Sequence, residues 1–101
     1  MRILQVSAEL FPLLKTGGLA DVAGALPAAL GVHGCEVRAL LPGFPAVVAG
    51  LRAQHAVGSF TTPWGEGLNL VAGEFPGLGA GGAALQAYVL MAPGLYDRSG
   101  N

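Results

Sequence analysis

Lys15, Thr16, Gly17 and Gly18 are the residues of this chain whose types and spacing best suit chemistry. They sit inside the stretch ELFPLLKTGGLAD, residues 9–21, between an apolar run at residues 2–7 (RILQVS) and a helical pattern that opens at Leu19. A strand, a glycine turn and a helix start, in that order, make an anion site. The first amides of a helix have no intrahelical partner, and the helix dipole adds partial positive charge there. Glycine has no side chain, so a phosphate or a sugar can come close to the backbone. Lys15 is the single lysine in the sequence and directly precedes the turn. The common phosphate loops do not fit. A Walker A loop places its lysine after the glycines, and the dinucleotide fingerprint needs G-x-G-x-x-G, whereas Gly17, Gly18 and Gly24 are spaced otherwise. Spacing alone therefore leaves two readings open: an anion site of unspecified kind, or a surface lysine beside a tight turn.

The elements that must position this stretch follow from periodicity. Ile3, Leu4 and Val6 suit a short strand buried on both faces, as in a parallel sheet. The connection over residues 8–18 is longer than the about 2–6 residues usual between strand and helix. Its apolar Phe11, Leu13 and Leu14 predict that it packs down on the domain. Leu19, Val22, Ala23, Leu26 and Leu30 have helical spacing, with Asp21 in the first turn where a negative charge suits the dipole. Pro27 would remove one hydrogen bond and crowd the carbonyl of Ala23, which predicts a kink or two short helical pieces. Gly31 or Gly34 then caps the end.

Residues 36–41 (EVRALL) read as a second strand, so a right-handed βαβ unit with two parallel strands is expected. Pro42-Gly43-Phe44-Pro45 falls at the same rim as the Lys15 loop, the rim where open α/β sheets bind ligands. Pro45 suits the first position of a short helix over 46–53. Residues 57–62, 68–75 and 85–91 are rich in β-branched and aromatic types and are separated by glycine clusters. They predict a β-meander or hairpin set, with Tyr88-Val89-Leu90-Met91 returning to the main sheet. A loop carrying Tyr96, Asp97 and Arg98 follows.

Composition narrows the function classes. A chain of 101 residues is one small domain at most. Its low charge, net −1, and scattered arginines argue against nucleic acid and acidic membrane surfaces. Glu9 and Pro12 interrupt the first apolar run, so it does not read as a signal peptide. No segment approaches the roughly 18 apolar residues of a membrane helix. A lone cysteine, Cys35, excludes an internal disulfide, and a cytoplasmic location is the expectation. His33 and His55 have no ligand spacing with Cys35 or a carboxylate, so no metal is expected, and each reads as a surface or helix-end histidine.

The stretch EL-FPLLKTGGLADVAGALPAAL resembles the amino-terminal signature of bacterial glycogen synthases and plant starch synthases, glycosyltransferase family 5. Residues 2–7, VRALLPGFP at 37–45 and APGLYDRSG at 92–100 match further family segments in the right order; residues 50–84 agree in strand rhythm alone. The resemblance implies an α/β fold: a partial Rossmann-like amino-terminal domain of a GT-B glycosyltransferase, a parallel sheet with a β-meander or hairpin insertion. It implies retaining transfer of glucose from ADP-glucose to the non-reducing end of an α-1,4-glucan, without cofactor or metal.

By the same resemblance Lys15 would contact the diphosphate, and Gly17 and Gly18 would offer amides near the glucose and phosphates. Asp21 would bond the sugar or orient Lys15; it reads equally as a plain first-turn acid. Glu9 and Tyr96 would face the acceptor glucan, against the alternatives of a solvated acid and a tyrosine packed at the domain edge. Phe11, Phe44 and Trp64 read as packing. In the family the catalytic histidine and the second Rossmann-like domain lie beyond the residues matched here. Residues 1–101 are therefore expected to be an incomplete amino-terminal domain, inactive without the carboxyl-terminal domain. Two other readings remain: a stand-alone nucleotide- or phosphate-binding α/β module without catalysis, and a different nucleotide-binding α/β protein with a similar opening.

Overall fold

A computed structural model describes residues 1–8, 10, 13 and 18–92. The chain runs β1 (Arg2–Val6), α1 (Gly18–Val32), β2 (Glu36–Pro42), α2 (Pro45–Gly50), β3 (Arg52–Thr61), β4 (Gly67–Phe75), a short 3-10 turn (Ala80–Gly82) and β5 (Leu85–Met91). The strands form one mixed sheet in the order β1-β2-β5-β4-β3. β1, β2 and β5 are parallel, with Ile3 opposite Val37 and Leu41 opposite Val89. β4 runs antiparallel to both β5 and β3. The expected parallel unit and hairpin insertion are both present, and the segment at 88–91 does return to the main sheet beside β2.

α1 is one helix through Pro27, so of the two expected outcomes the break into two pieces does not occur. The carbonyl of Ala23, which proline deprives of its donor, accepts a hydrogen bond from the Gln5 side-chain amide nitrogen on β1 at 2.9 Å. That external donor offsets part of the local penalty. The helix ends in a Schellman arrangement: the Cys35 amide donates to the Leu30 carbonyl at 3.2 Å and the Gly34 amide to the Gly31 carbonyl at 3.0 Å. Gly34 is therefore the terminating glycine, at φ +81°. Gly31 lies inside the helix, where a Cβ would collide with the Cβ of Ala80 in the 3-10 turn. Gly31→Ala should accordingly cost up to about 2 kcal/mol, overpacking of about 1–3 kcal/mol less the helix-propensity gain of about 1. The denaturant midpoint measures this, and Ala80→Gly should recover the loss.

Two boundaries differ from expectation. α2 stops at Gly50 and β3 begins at Arg52, so the helix is shorter than 46–53 and the strand longer than 57–62. Ala53, Gln54 and His55 carry little intrinsic strand preference; pairing of Arg52 with Glu74 and of His55 with Ala72 on β4 brackets them into the strand, with a register shift between the two pairs. Register shifts along β3 and the positive φ of Ala53 (54°) mark the irregularity of this edge strand. Pro45 does occupy the start of α2.

The core fills the face of the sheet that carries Ala39, Leu41, Ala87, Val89 and Phe75, beneath α1 and Val47 of α2. β1 is not buried on both faces. Its side chains alternate: Ile3 and Gln5 are half-buried, while Leu4 and Val6 are 55% and 69% exposed on the opposite face. Among the described residues no helix covers that opposite face. Phe44 is half-buried against the core as expected; Trp64, in the β3–β4 turn, is exposed instead of packed. His33 at the end of α1 and His55 on β3 are both exposed.

Candidate functional site

Because β1, β2 and β5 are parallel, their carboxyl ends open on one rim. The loop after β1, the loop after β2 and the chain after β5 all leave from it. Backbone bonds carry this order past the strand ends. The Ser7 amide donates to the Leu40 carbonyl at 3.1 Å, and the Gly43 amide to the Leu90 carbonyl at 2.8 Å. Ala92, where β5 gives way to its loop, is buried. Val6, Ser7, Ala8, Leu40, Pro42 and Leu90 surround a largely apolar cavity of about 240 Å³ at this rim. Ligand clefts usually run to about 300–1,000 Å³, so this cavity is smaller than a whole ligand site.

The loop after β1 is tied to the core as its composition predicts. Leu10 is wholly buried, Leu13 packs on the core, and the Leu13 amide donates to the Leu10 carbonyl at 2.8 Å. The loop returns at Gly18, the first residue of α1, one position before the expected start. Asp21 is in the first turn of α1 and exposed. The helix amino terminus, with its partial positive charge, is thus reached from the carboxyl end of β1. Glu9, Lys15, Gly17 and Tyr96 lie outside the described residues, as do Phe11, Leu14 and Thr16.

A larger cavity, about 420 Å³, lies on the open face of the sheet between Arg2, Leu4, Glu36, Arg38 and Tyr88. Arg38 donates to the Tyr88 hydroxyl at 2.8 Å and pairs with Glu36 at 3.5 Å. The Tyr88 hydroxyl, and secondarily Glu36, raise the Arg38 guanidinium above its ordinary value, which leaves it charged at any physiological pH. Arg2 and Glu36 begin their strands, so this cavity belongs to the half of the sheet away from the rim. Its size does not make it the better candidate.

Residues 2–100 match the family model described as the starch synthase catalytic domain. The chain belongs to the starch synthase catalytic-domain family. It is 64% identical over 102 residues to a glycogen synthase of Variovorax paradoxus strain S110, covering all of this chain and 20% of that protein. It is 50% identical over 98 residues to a glycogen synthase of Rhodopseudomonas palustris strain BisB18, covering 97% of this chain and 19% of that protein. The catalytic domain of starch synthase IV from Arabidopsis thaliana, solved with ADP and acarbose, superposes with a TM-score of 0.63 at 24% identity. That superposition covers 87% of this chain and 17% of the other, and at that identity it speaks for the fold. This chain therefore spans about a fifth of the length of the curated relatives it matches.

Two contributors were not singled out from the sequence, Gln5 and Leu10; the loop at 42–45 was placed at this rim, but not the bond its Gly43 amide makes to Leu90. A helix-internal proline signals a free carbonyl four residues earlier, so Pro27 was a pointer to Ala23. Nothing local pointed to Gln5 as its donor. No helix among the described residues is long and apolar enough to cross a membrane.

Proposed function

We propose that this chain is the amino-terminal part of a cytoplasmic glycogen or starch synthase. The intact protein transfers glucose from ADP-glucose to the non-reducing end of an α-1,4-glucan, with retention. The observation that carries this reading is the family match across residues 2–100, on a fold whose parallel strands gather the matched loops at one rim. In this proposal residues 1–101 are an incomplete amino-terminal domain. The catalytic histidine and a second Rossmann-like domain come from outside the segment, which does not catalyse transfer by itself.

The residues take the following roles. Lys15 meets the diphosphate of the sugar nucleotide. The amides at Gly17 and Gly18 lie near the glucose and phosphates, where the absence of side chains permits close approach. Asp21, exposed in the first turn of α1, bonds the sugar or orients Lys15. Glu9 and Tyr96 face the acceptor glucan. As the glycosidic bond to phosphate breaks, negative charge accumulates on the leaving diphosphate. A fixed cation and fixed amides then stabilise the transition state more than the ground state. The role of this chain is leaving-group stabilisation and substrate orientation, and it needs no metal.

A chimera tests the reading. In it, this segment replaces the matching fifth of the Variovorax paradoxus glycogen synthase. The chimera is expected to incorporate radiolabelled glucose from ADP-glucose into glycogen at a rate comparable to the parent. A folded chimera that binds ADP-glucose and transfers nothing would count against the assigned roles. One that neither binds nor transfers would favour a different nucleotide-binding protein.

A further inference from the structure

Gln5 makes a contact that space-filling does not explain. Its amide nitrogen donates to the Ala23 carbonyl at 2.9 Å, across 18 residues of sequence. That carbonyl is free because Pro27, four residues on, has no N–H to give it. Ala23 is 5% exposed, so bulk water is not at hand to serve the carbonyl instead. The other end of the same amide, Gln5 Oε1, is buried without a partner. A methionine would fill the space without burying an unpaired acceptor, so this position carries a cost that only the donated bond offsets.

The place of the bond on α1 matters as much as its chemistry. Ala23 is two residues beyond Asp21 and five beyond Gly18, within the first two turns. The far end of the helix is held separately, by Gly31 against Ala80 and by the Schellman bonds at Gly34 and Cys35. Gln5 therefore fastens the amino-terminal half of α1 to β1, the strand whose carboxyl end leads into the Lys15 loop.

The geometry points to Gln5 as a positioning residue: through the carbonyl that Pro27 frees, it sets where the first turn of α1 presents its amides and Asp21 to the sugar nucleotide. This rests on the function proposed above. Pro27 and Gln5 form a matched pair, in which the proline opens a carbonyl and the glutamine uses it to aim the helix.

The test is a double-mutant cycle in the full-length chimera: Gln5→Met, Pro27→Ala and both together, with KM for ADP-glucose and for glycogen measured separately. Gln5→Met should raise KM for ADP-glucose about tenfold, since small misplacements at a site carry large kinetic costs. It should move KM for glycogen by less than about twofold. Pro27→Ala supplies an intrahelical N–H for the Ala23 carbonyl, so in that background Gln5→Met should change KM for ADP-glucose by less than about twofold. An equal penalty in both backgrounds overturns the inference, as does an unchanged KM in the Pro27 background. If Gln5→Met fails to fold, the double variant must fold and bind; if it also fails, the pairing is refuted. Failure of the functional reading looks different, because the unmutated chimera would then lack ADP-glucose turnover altogether.

Discussion

Replacing Lys15 with alanine in the full-length chimera is expected to lower kcat/KM for ADP-glucose on the order of 10²-fold or more. The expectation follows from the type of charge and from where the chain delivers it. Lys15 is the one lysine of the segment, and it falls in the loop between the end of β1 and the amino terminus of α1. Two residues ahead of it in that loop are fixed, since Leu10 is wholly buried and Leu13 packs on the core. In the proposed role Lys15 meets the diphosphate of the sugar nucleotide. Its interaction strengthens as the leaving group gains charge, so kcat should fall more than KM rises. A hundredfold loss is about 2.7 kcal/mol, within the range of a single fixed electrostatic contact in an active site. Lys15→Arg keeps the charge but not the compact ammonium, and should recover part of the rate. Steady-state kinetics with varied ADP-glucose separate the outcomes. An unchanged kcat/KM in Lys15→Ala would remove the leaving-group role and favour a surface lysine beside a tight turn.

The parts of this fold that were legible in the sequence are those set by local pattern. Apolar strands around a helical stretch announced the β1-α1-β2 unit, and the dense apolar run at 88–91 announced the return of β5 to the sheet. Phe44 as a packing residue and Pro45 at the start of α2 followed from composition and from the fixed φ of proline. The misreadings share a cause, which is distance in sequence. Pro27 looks like a helix breaker because its penalty is local, while its remedy is a side chain 18 residues before the carbonyl it frees. The start of β3 was hidden because Arg52 and His55 are held in the strand through pairing with β4 and not through any preference of their own. β1 reads as a strand buried on both faces, yet its covered face carries Gln5 while Leu4 and Val6 point the other way. A period of two in five residues cannot say which face has a layer on it.

The site was legible to a different degree. Lysine, paired glycines and a helix start pointed to an anion, and the loops after β1, β2 and β5 do leave from one rim. What no residue type announced is how the rim is held. The anchoring falls to a buried leucine, to amide bonds from Ser7 and Gly43 that extend the sheet beyond its strands, and to the Gln5 contact. These are consequences of packing, and they carry no signature in spacing.

Leu10→Ala tests that anchoring and should lower stability by about 2–5 kcal/mol. Leu10 has no exposed surface and belongs to the same core as Leu41, Val47 and Phe75. Truncation removes its transfer free energy and leaves a cavity that the strands cannot collapse to fill, because the sheet beside it is fixed by its ladders. Against a typical stability of about 5–15 kcal/mol the change is severe. Its second consequence separates anchoring from mere packing. Leu10 lies in the connection that carries Lys15, so loosening it should raise KM for ADP-glucose even at temperatures where the chimera stays folded. Leu10→Met preserves volume and should cost less than about 1.5 kcal/mol, with KM unchanged. Denaturant midpoints and KM values on the same three proteins decide the matter. A loss below about 1 kcal/mol in Leu10→Ala would mean that the site is collapsible and that the loop is held elsewhere. A full loss of stability with KM unmoved would mean that Leu10 supports the core without aiming the loop.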